Sequence, residues 1–253
     1  MGIFDKVDNS AQTEQEQDRV RGQRQEPMPS DIQNLIIKHC YGQPSKGGAL
    51  GVHTLFEVAD GDHKGRQFKI VEYITSGDAK GNKTYYEKKS SDGKIERRNL
   101  PGFILIDSMA QLIAGKSIVN CVAEKRTIKL YDFDKKAEVP TEVEMFTELV
   151  NKGITACVVF QVQDKTAKDT QTGEYKPTGQ TFSKNSVEKF LDPRSRKTLS
   201  EKKNDLSADF KDQWLKKWQG QVDDQSSEVK GAGMKGAPAP SGEQAEKAPL
   251  FAD

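Results

Sequence analysis

Ala49-Leu-Gly-Val-His-Thr-Leu-Phe-Glu-Val58, Asp60-Gly-Asp62 and Gln67-Phe-Lys-Ile-Val-Glu-Tyr-Ile-Thr75 decide the fold class of this chain. In the last of these, Phe68, Ile70, Glu72 and Ile74 alternate with Lys69, Val71, Tyr73 and Thr75, the period of a strand. Asp60-Gly61-Asp62 is turn chemistry, so the two runs are expected to form a hairpin. Working outward, Lys83–Lys88 and Lys94–Arg98 flank Ser91-Asp92-Gly93 and predict a further pair of strands. Leu100-Pro101-Gly102 breaks the alternation. Leu105, Met109, Leu112 and Ile113 then recur at helical spacing, a helix over Phe103–Ile113 that Gly115 ends. Thr127–Phe133 alternates again, Thr141–Val150 has apolar residues at the spacing of a short amphipathic helix, and Ile154–Val162 is the most strongly β-forming run. The order predicts a mainly β fold with α additions: an OB-fold-like five-stranded barrel with inserted helices, an amphipathic C-terminal helix and disordered termini.

The chain has 253 residues, with 39 Lys and Arg against 38 Asp and Glu and only 34% hydrophobic residues. Attraction to a polyanion must therefore come from how charge is distributed, and part of the chain is expected to stay unburied. Residues 1–30 read as a disordered, Gln- and Glu-rich arm and 31–200 as the core. Residues 201–220 hold the amphipathic helix, and 221–253 form a flexible tail rich in Gly, Ala, Pro and Ser, with Leu250-Phe251 near its end. Nothing approaches the ~20 apolar residues of a membrane span, and no export sequence is apparent, which points to a cytoplasmic protein. Three widely spaced cysteines fit neither a disulfide framework nor a zinc cluster.

Lys64 to Arg98 contains ten basic and five acidic residues together with Phe68, Tyr73, Tyr85 and Tyr86. Single-stranded nucleic acid needs cations along its phosphates and flat side chains on which bases stack. Lys64, Arg66, Lys80, Lys83, Lys88, Lys89, Arg97 and Arg98 are the candidate cations, and Tyr73, Tyr85 and Tyr86 the candidate platforms. Tyr85 and Tyr86 must point to opposite faces of a strand. Lys129 and Tyr131 offer a second platform on one face of theirs. Gly77-Asp-Ala-Lys-Gly81-Asn-Lys83-Thr84 has the flavour of a phosphate loop but the wrong spacing, so it reads as a hairpin tip. Phe210, Trp214 and Trp218 recur every four residues along one helix face, which either docks on the body or, through Trp214 and Trp218, binds a partner. No catalytic constellation, metal site or cofactor motif stands out. A metal-dependent nuclease using Asp132 and Asp134 is the enzymatic alternative.

Taken in order, Thr75-Ser-Gly-Asp-Ala-Lys-Gly-Asn-Lys-Thr-Tyr-Tyr86, Leu100-Pro-Gly-Phe103, Lys129-Leu-Tyr-Asp-Phe133, Glu138-Val-Pro-Thr141, Gly173-Glu-Tyr-Lys-Pro-Thr-Gly179, Trp214-Leu-Lys-Lys-Trp-Gln-Gly220 and Leu250-Phe251 resemble the bacteriophage single-stranded DNA-binding proteins, over about residues 50–253. The resemblance implies an OB-fold core that coats single strands during phage replication, recombination and repair, in the cytoplasm of an infected bacterium. It also implies a tail that recruits phage or host replication and recombination proteins through Leu250, Phe251 and Asp253. Some such proteins are associated with activation of host RNA polymerase, so an adaptor whose main ligand is a protein is the alternative function.

Overall fold

The computed structural model describes residues 26–90, 92–132, 135–168 and 175–227. It is mainly β. Strand β1 (Asp31–Pro44), β2 (Leu50–Val58) and β3 (Gln67–Tyr73) form an antiparallel meander, as the alternation and the Asp60-Gly61-Asp62 turn require. Val52, Thr54 and Phe56 of β2 and Ile70 of β3 face one buried core, joined there by Leu35, Ile37 and Cys40 of β1. β1 was not legible as a strand because its period breaks: a bulge between Ile37 and His39 shifts the register, so Leu35 and Ile37 but then Cys40 point inward.

β4 (Tyr85–Lys89) and β5 (Ile95–Asn99) pair only with each other, a two-stranded ribbon apart from the main sheet. Helix α1 (Pro101–Ala114) follows, with Pro101 in its first turn and Gly115 in the left-handed conformation that closes it. Its Ile106, Met109, Ala110 and Leu112 enter the core. Gly102 allows the helix to start against the end of β3, since a Cβ there would lie 2.5 Å from the Tyr73 carbonyl oxygen.

β6 (Ala123–Asp132) and β7 (Ala137–Phe146) form the next hairpin, with β7 reaching the far end of β1 at Tyr41 and Gly42. The short helix expected over Thr141–Val150 is therefore a strand and a turn. Val143 and Met145 are buried in strand alternation, and Leu149 is buried from the turn beyond, which together mimic a helical period. β8 (Gly153–Lys168) pairs along one edge with β1 and along the other with the 17-residue β9 (Tyr175–Leu191). Polar on both faces over its first half, β9 gives no apolar pattern to read. Among the described residues, ten strands thus replace the five expected and no closed barrel forms. β3 and β9 approach without a hydrogen-bonded ladder, and α1 packs against both.

After β9, α2 (Leu199–Lys203) starts at a capping box in which Thr198 and Glu201 satisfy each other's backbone N–H groups. Helix α3 (Asp209–Trp218) then docks on the sheet. Trp214 is 3% exposed, packs with Cys157, Val159 and Leu191, and donates Nε1–H to Glu188 at 2.7 Å. Phe210 and Trp218 flank it, half-buried. The sheet covers Trp214 fully and Phe210 and Trp218 in part, so Trp214, read as a partner contact, packs the body here, and Trp218 packs beside it. A three-residue β10 (Val222–Asp224) runs parallel to β8. Gly220 N–H donates to the Ser30 carbonyl at 2.8 Å, Phe160 N–H to Ser30 Oγ at 2.9 Å, and Ser30 Oγ–H to the Gln221 carbonyl, a clasp joining both ends of the body. Met28 and Ser30, at the close of the stretch read as an arm, are buried. No helix among the described residues is long and apolar enough to cross a membrane.

Candidate nucleic-acid interface

Cross-strand partners share a sheet face. Gly51 opposes Tyr73, His53 opposes both Tyr41 and Val71, and Leu55 opposes Lys69. These residues make up the face of β1–β3 turned away from the main core. Tyr73 is 51% exposed, and one edge of its ring lies where a Gly51 side chain would stand, with Cε1 3.3 Å from an ideal Cβ. Gly51 thus leaves room for the edge of an aromatic side chain that remains half exposed.

Beside it, the Tyr41 and His53 rings stack at 5.0 Å with an interplanar angle of 15°. Lys69 donates from Nζ to the Tyr41 hydroxyl at 3.1 Å and stands 5.5 Å from that ring's centroid. His53 Nδ1 is buried without a hydrogen-bond partner among the described residues. Burial, and then the charge of Lys69, hold the imidazole well below its ordinary value, at about 4. An unfolded chain protonates His53 near pH 6.5 while the folded one does not, so stability is full above that pH and falls as pH drops from about 6.5 towards 4. Urea midpoints at pH 7 and pH 5 should differ more in the wild type than in His53→Phe, which keeps the ring stack without the titration. Equal losses would reject this reading.

The basic ribbon carries cations on both faces. Register places Tyr86, Lys88, Glu96 and Arg98 on one, and Tyr85, Glu87, Lys89 and Arg97 on the other. Tyr86 is 44% exposed, whereas Tyr85 is half-buried, with Lys83 Nζ 5.6 Å and the Arg97 guanidinium 5.0 Å from its ring centroid. Cations therefore already occupy the surroundings of Tyr85. Arg97 and Arg98 pair with Glu87 and Glu96, while Lys88 and Lys89 make no ion pair among the described residues. The loop before the ribbon uses its own amides. Asp78 N–H donates to Gly47, Asn82 N–H to Gly77 and Gly81 N–H to Asp78, so these amides are already engaged, while Lys80 and Lys83 are exposed on the loop.

Other sequence candidates lie elsewhere. Lys64 and Arg66 sit in the β2–β3 turn, the opposite end of β3 from Tyr73 and roughly 20 Å away at 3.4 Å per strand residue. Arg66 donates there to the Glu26 carbonyl. Tyr131, 53% exposed, and Lys129 share a face of the β6–β7 hairpin with Glu138 and with the Lys125–Glu142 ion pair. The structure thus places Tyr73 on one sheet face with the unforeseen His53 and Lys69, while Tyr41 beside them is buried with Val143 and Met145, and keeps the Tyr85–Arg98 ribbon, the Tyr131 hairpin and the Lys64 turn as separate features. Lys69 was readable in advance, two residues from Tyr73 on an alternating strand. Leu250, Phe251, Asp253 and Asp134 lie outside the described residues. Comparison with family models, curated proteins and solved structures finds no match for this chain.

Proposed function

We propose that this protein is a non-enzymatic binder of single-stranded DNA that covers exposed strands with little sequence preference during phage replication, recombination and repair. The observation that carries the reading is the half-exposed Tyr73 ring beside Gly51, on a sheet face with Lys69 and in the same molecule as an exposed basic ribbon. An exposed ring accepts any base, and lysines without ion pairs accept any phosphate, so neither demands a sequence. The β1–β2–β3 meander, with β1 also paired to β7 and β8 and a helix after β3, supports an OB-like description of the core without a closed barrel. The segment holding Leu250 and Phe251 serves as the recruiting element for replication partners.

Binding to oligo-dT should weaken steeply with salt, because each neutralised phosphate contributes about −0.7 to the slope of log affinity against log salt. Lys88→Ala combined with Lys89→Ala should make that slope shallower by about 1.4 if both lysines meet phosphates. Fluorescence anisotropy at several salt concentrations measures both. A flat dependence in the wild type would end the electrostatic part of the proposal.

A further inference from the structure

On the side of α1 and α2 lies a groove of about 770 Å³, bounded by α1, by Lys189 of β9 and by the α2–α3 segment. Phe103, Leu199 and Phe210 contribute half-buried apolar surface, and Ile104 and Leu206 stand about half exposed on it. Two exposed aliphatic side chains across one groove lose water together when a third apolar group enters. With Trp214 of α3 already packed on the sheet, Phe210 and its neighbours leave apolar surface here that the described body does not cover.

The charges on the groove are unequally engaged. Asp107 accepts from Ile118 N–H at 2.9 Å and from the Ser117 hydroxyl. Glu201 accepts from Thr198 N–H at 2.7 Å and Phe210 N–H at 2.8 Å, and Asp209 from Ser207 Oγ–H at 2.6 Å. These carboxylates hold the fold. Lys189 and Lys203 make no ion pair among the described residues, and Lys189 instead stands 5.8 Å from the centroid of the Phe210 ring. An occupant therefore meets aliphatic surface flanked by two available cations, which suits an apolar segment with acidic neighbours. Exposed aliphatic groups suit a polyanion less well.

We propose that the occupant is this chain's own Pro249-Leu250-Phe251 segment, with Glu246 and Asp253 directed at Lys189 and Lys203. Beyond residue 227, Leu250-Phe251 is the one place where two large apolar side chains adjoin, and acidic residues lie on both sides of it. The intervening stretch, rich in Gly, Ala, Pro and Ser, reaches an r.m.s. span of roughly 25 Å, comparable with the radius of gyration of about 17 Å expected for a body this size. Tethering at such a length supplies an effective concentration on the order of a millimolar, so an intrinsic Kd near 0.1 mM already keeps the groove filled about nine-tenths of the time.

The test uses the full chain, comparing wild type with a Leu250→Ser/Phe251→Ser variant by methyl NMR of Ile104 and Leu206 and by amide exchange. The expected result is a shift of both methyl signals and about tenfold faster exchange of the Ile104 and Leu206 amides in the variant, as occupancy by a tethered ligand at ten times its Kd implies. Leu206→Ser should abolish the difference between the two tails. Identical spectra and exchange in wild type and tail variant would overturn the proposal. Concentration-dependent shifts, which indicate a second copy's segment, would also overturn it, as would shifts caused by oligo-dT but not by the tail substitutions. None of these outcomes depends on whether Tyr73 stacks on DNA, so this proposal and the nucleic-acid reading fail separately.

Discussion

Tyr73→Ala should weaken oligo-dT binding about 5- to 150-fold, the equivalent of the ~1–3 kcal/mol that losing one stacking platform costs. The fold should survive, because the ring is half exposed and borders a glycine, outside the core cluster. Gly51→Leu provides an independent check. Its side chain would enter the space 3.3 Å from the ring and displace it, so affinity should fall although Tyr73 is still present. Tyr85→Ala should do less than Tyr73→Ala, since cations already attend its ring. Anisotropy titrations at one fixed salt concentration, with far-UV circular dichroism as the folding control, decide the matter. Undiminished affinity in Tyr73→Ala would remove the sheet face from the binding surface.

The largest stability effect is expected at Trp214. Replacing a 3% exposed tryptophan by Ala should cost about 3–5 kcal/mol. For a domain of this size each kcal/mol shifts Tm by about 2–4 °C, so the transition should fall by about 6–20 °C. Trp214→Phe retains most of the packing and loses the Nε1–H bond to Glu188, whose carboxylate is then hydrated, so about 1 kcal/mol is expected. Below the transition, both variants should bind single strands like the wild type. A Trp214→Ala protein that melts at the wild-type temperature would contradict the docking of α3 on Cys157, Val159 and Leu191.

The parts of the fold that were legible are those with a single period or a clear turn. β3 alternates cleanly, β2 precedes it across the Asp60-Gly61-Asp62 turn, β4 and β5 flank Ser91-Asp92-Gly93, α1 carries its apolar residues between Pro101 and Gly115, and α3 spaces its aromatics by four; each forms where its pattern places it. β1 was hidden by a bulge, β7 by a turn that completed a false helical period, and β9 by having few apolar residues to alternate. The candidate site was half legible for a related reason. Tyr73 and the ribbon cations stand out along the chain, but the stacking of Tyr41 on His53 and the space above Gly51 exist only once β1, β2 and β3 are in register. Clustering in sequence also misled: Lys64 and Tyr73 are nine positions apart, yet Lys64 lies in the turn before β3 and Tyr73 at the far end of that strand.

The Ser30 clasp gives the molecule a pole. Met28 is held by Asn185, which sits across from Phe160 on β8, and Ser227 N–H donates to Asp164, four positions further along the same strand. Four strand residues rise only about 13 Å. Residues 28 and 227, close to the two limits of the described body, are therefore anchored side by side on one flank, so that loosening either anchor would loosen the same strand pair.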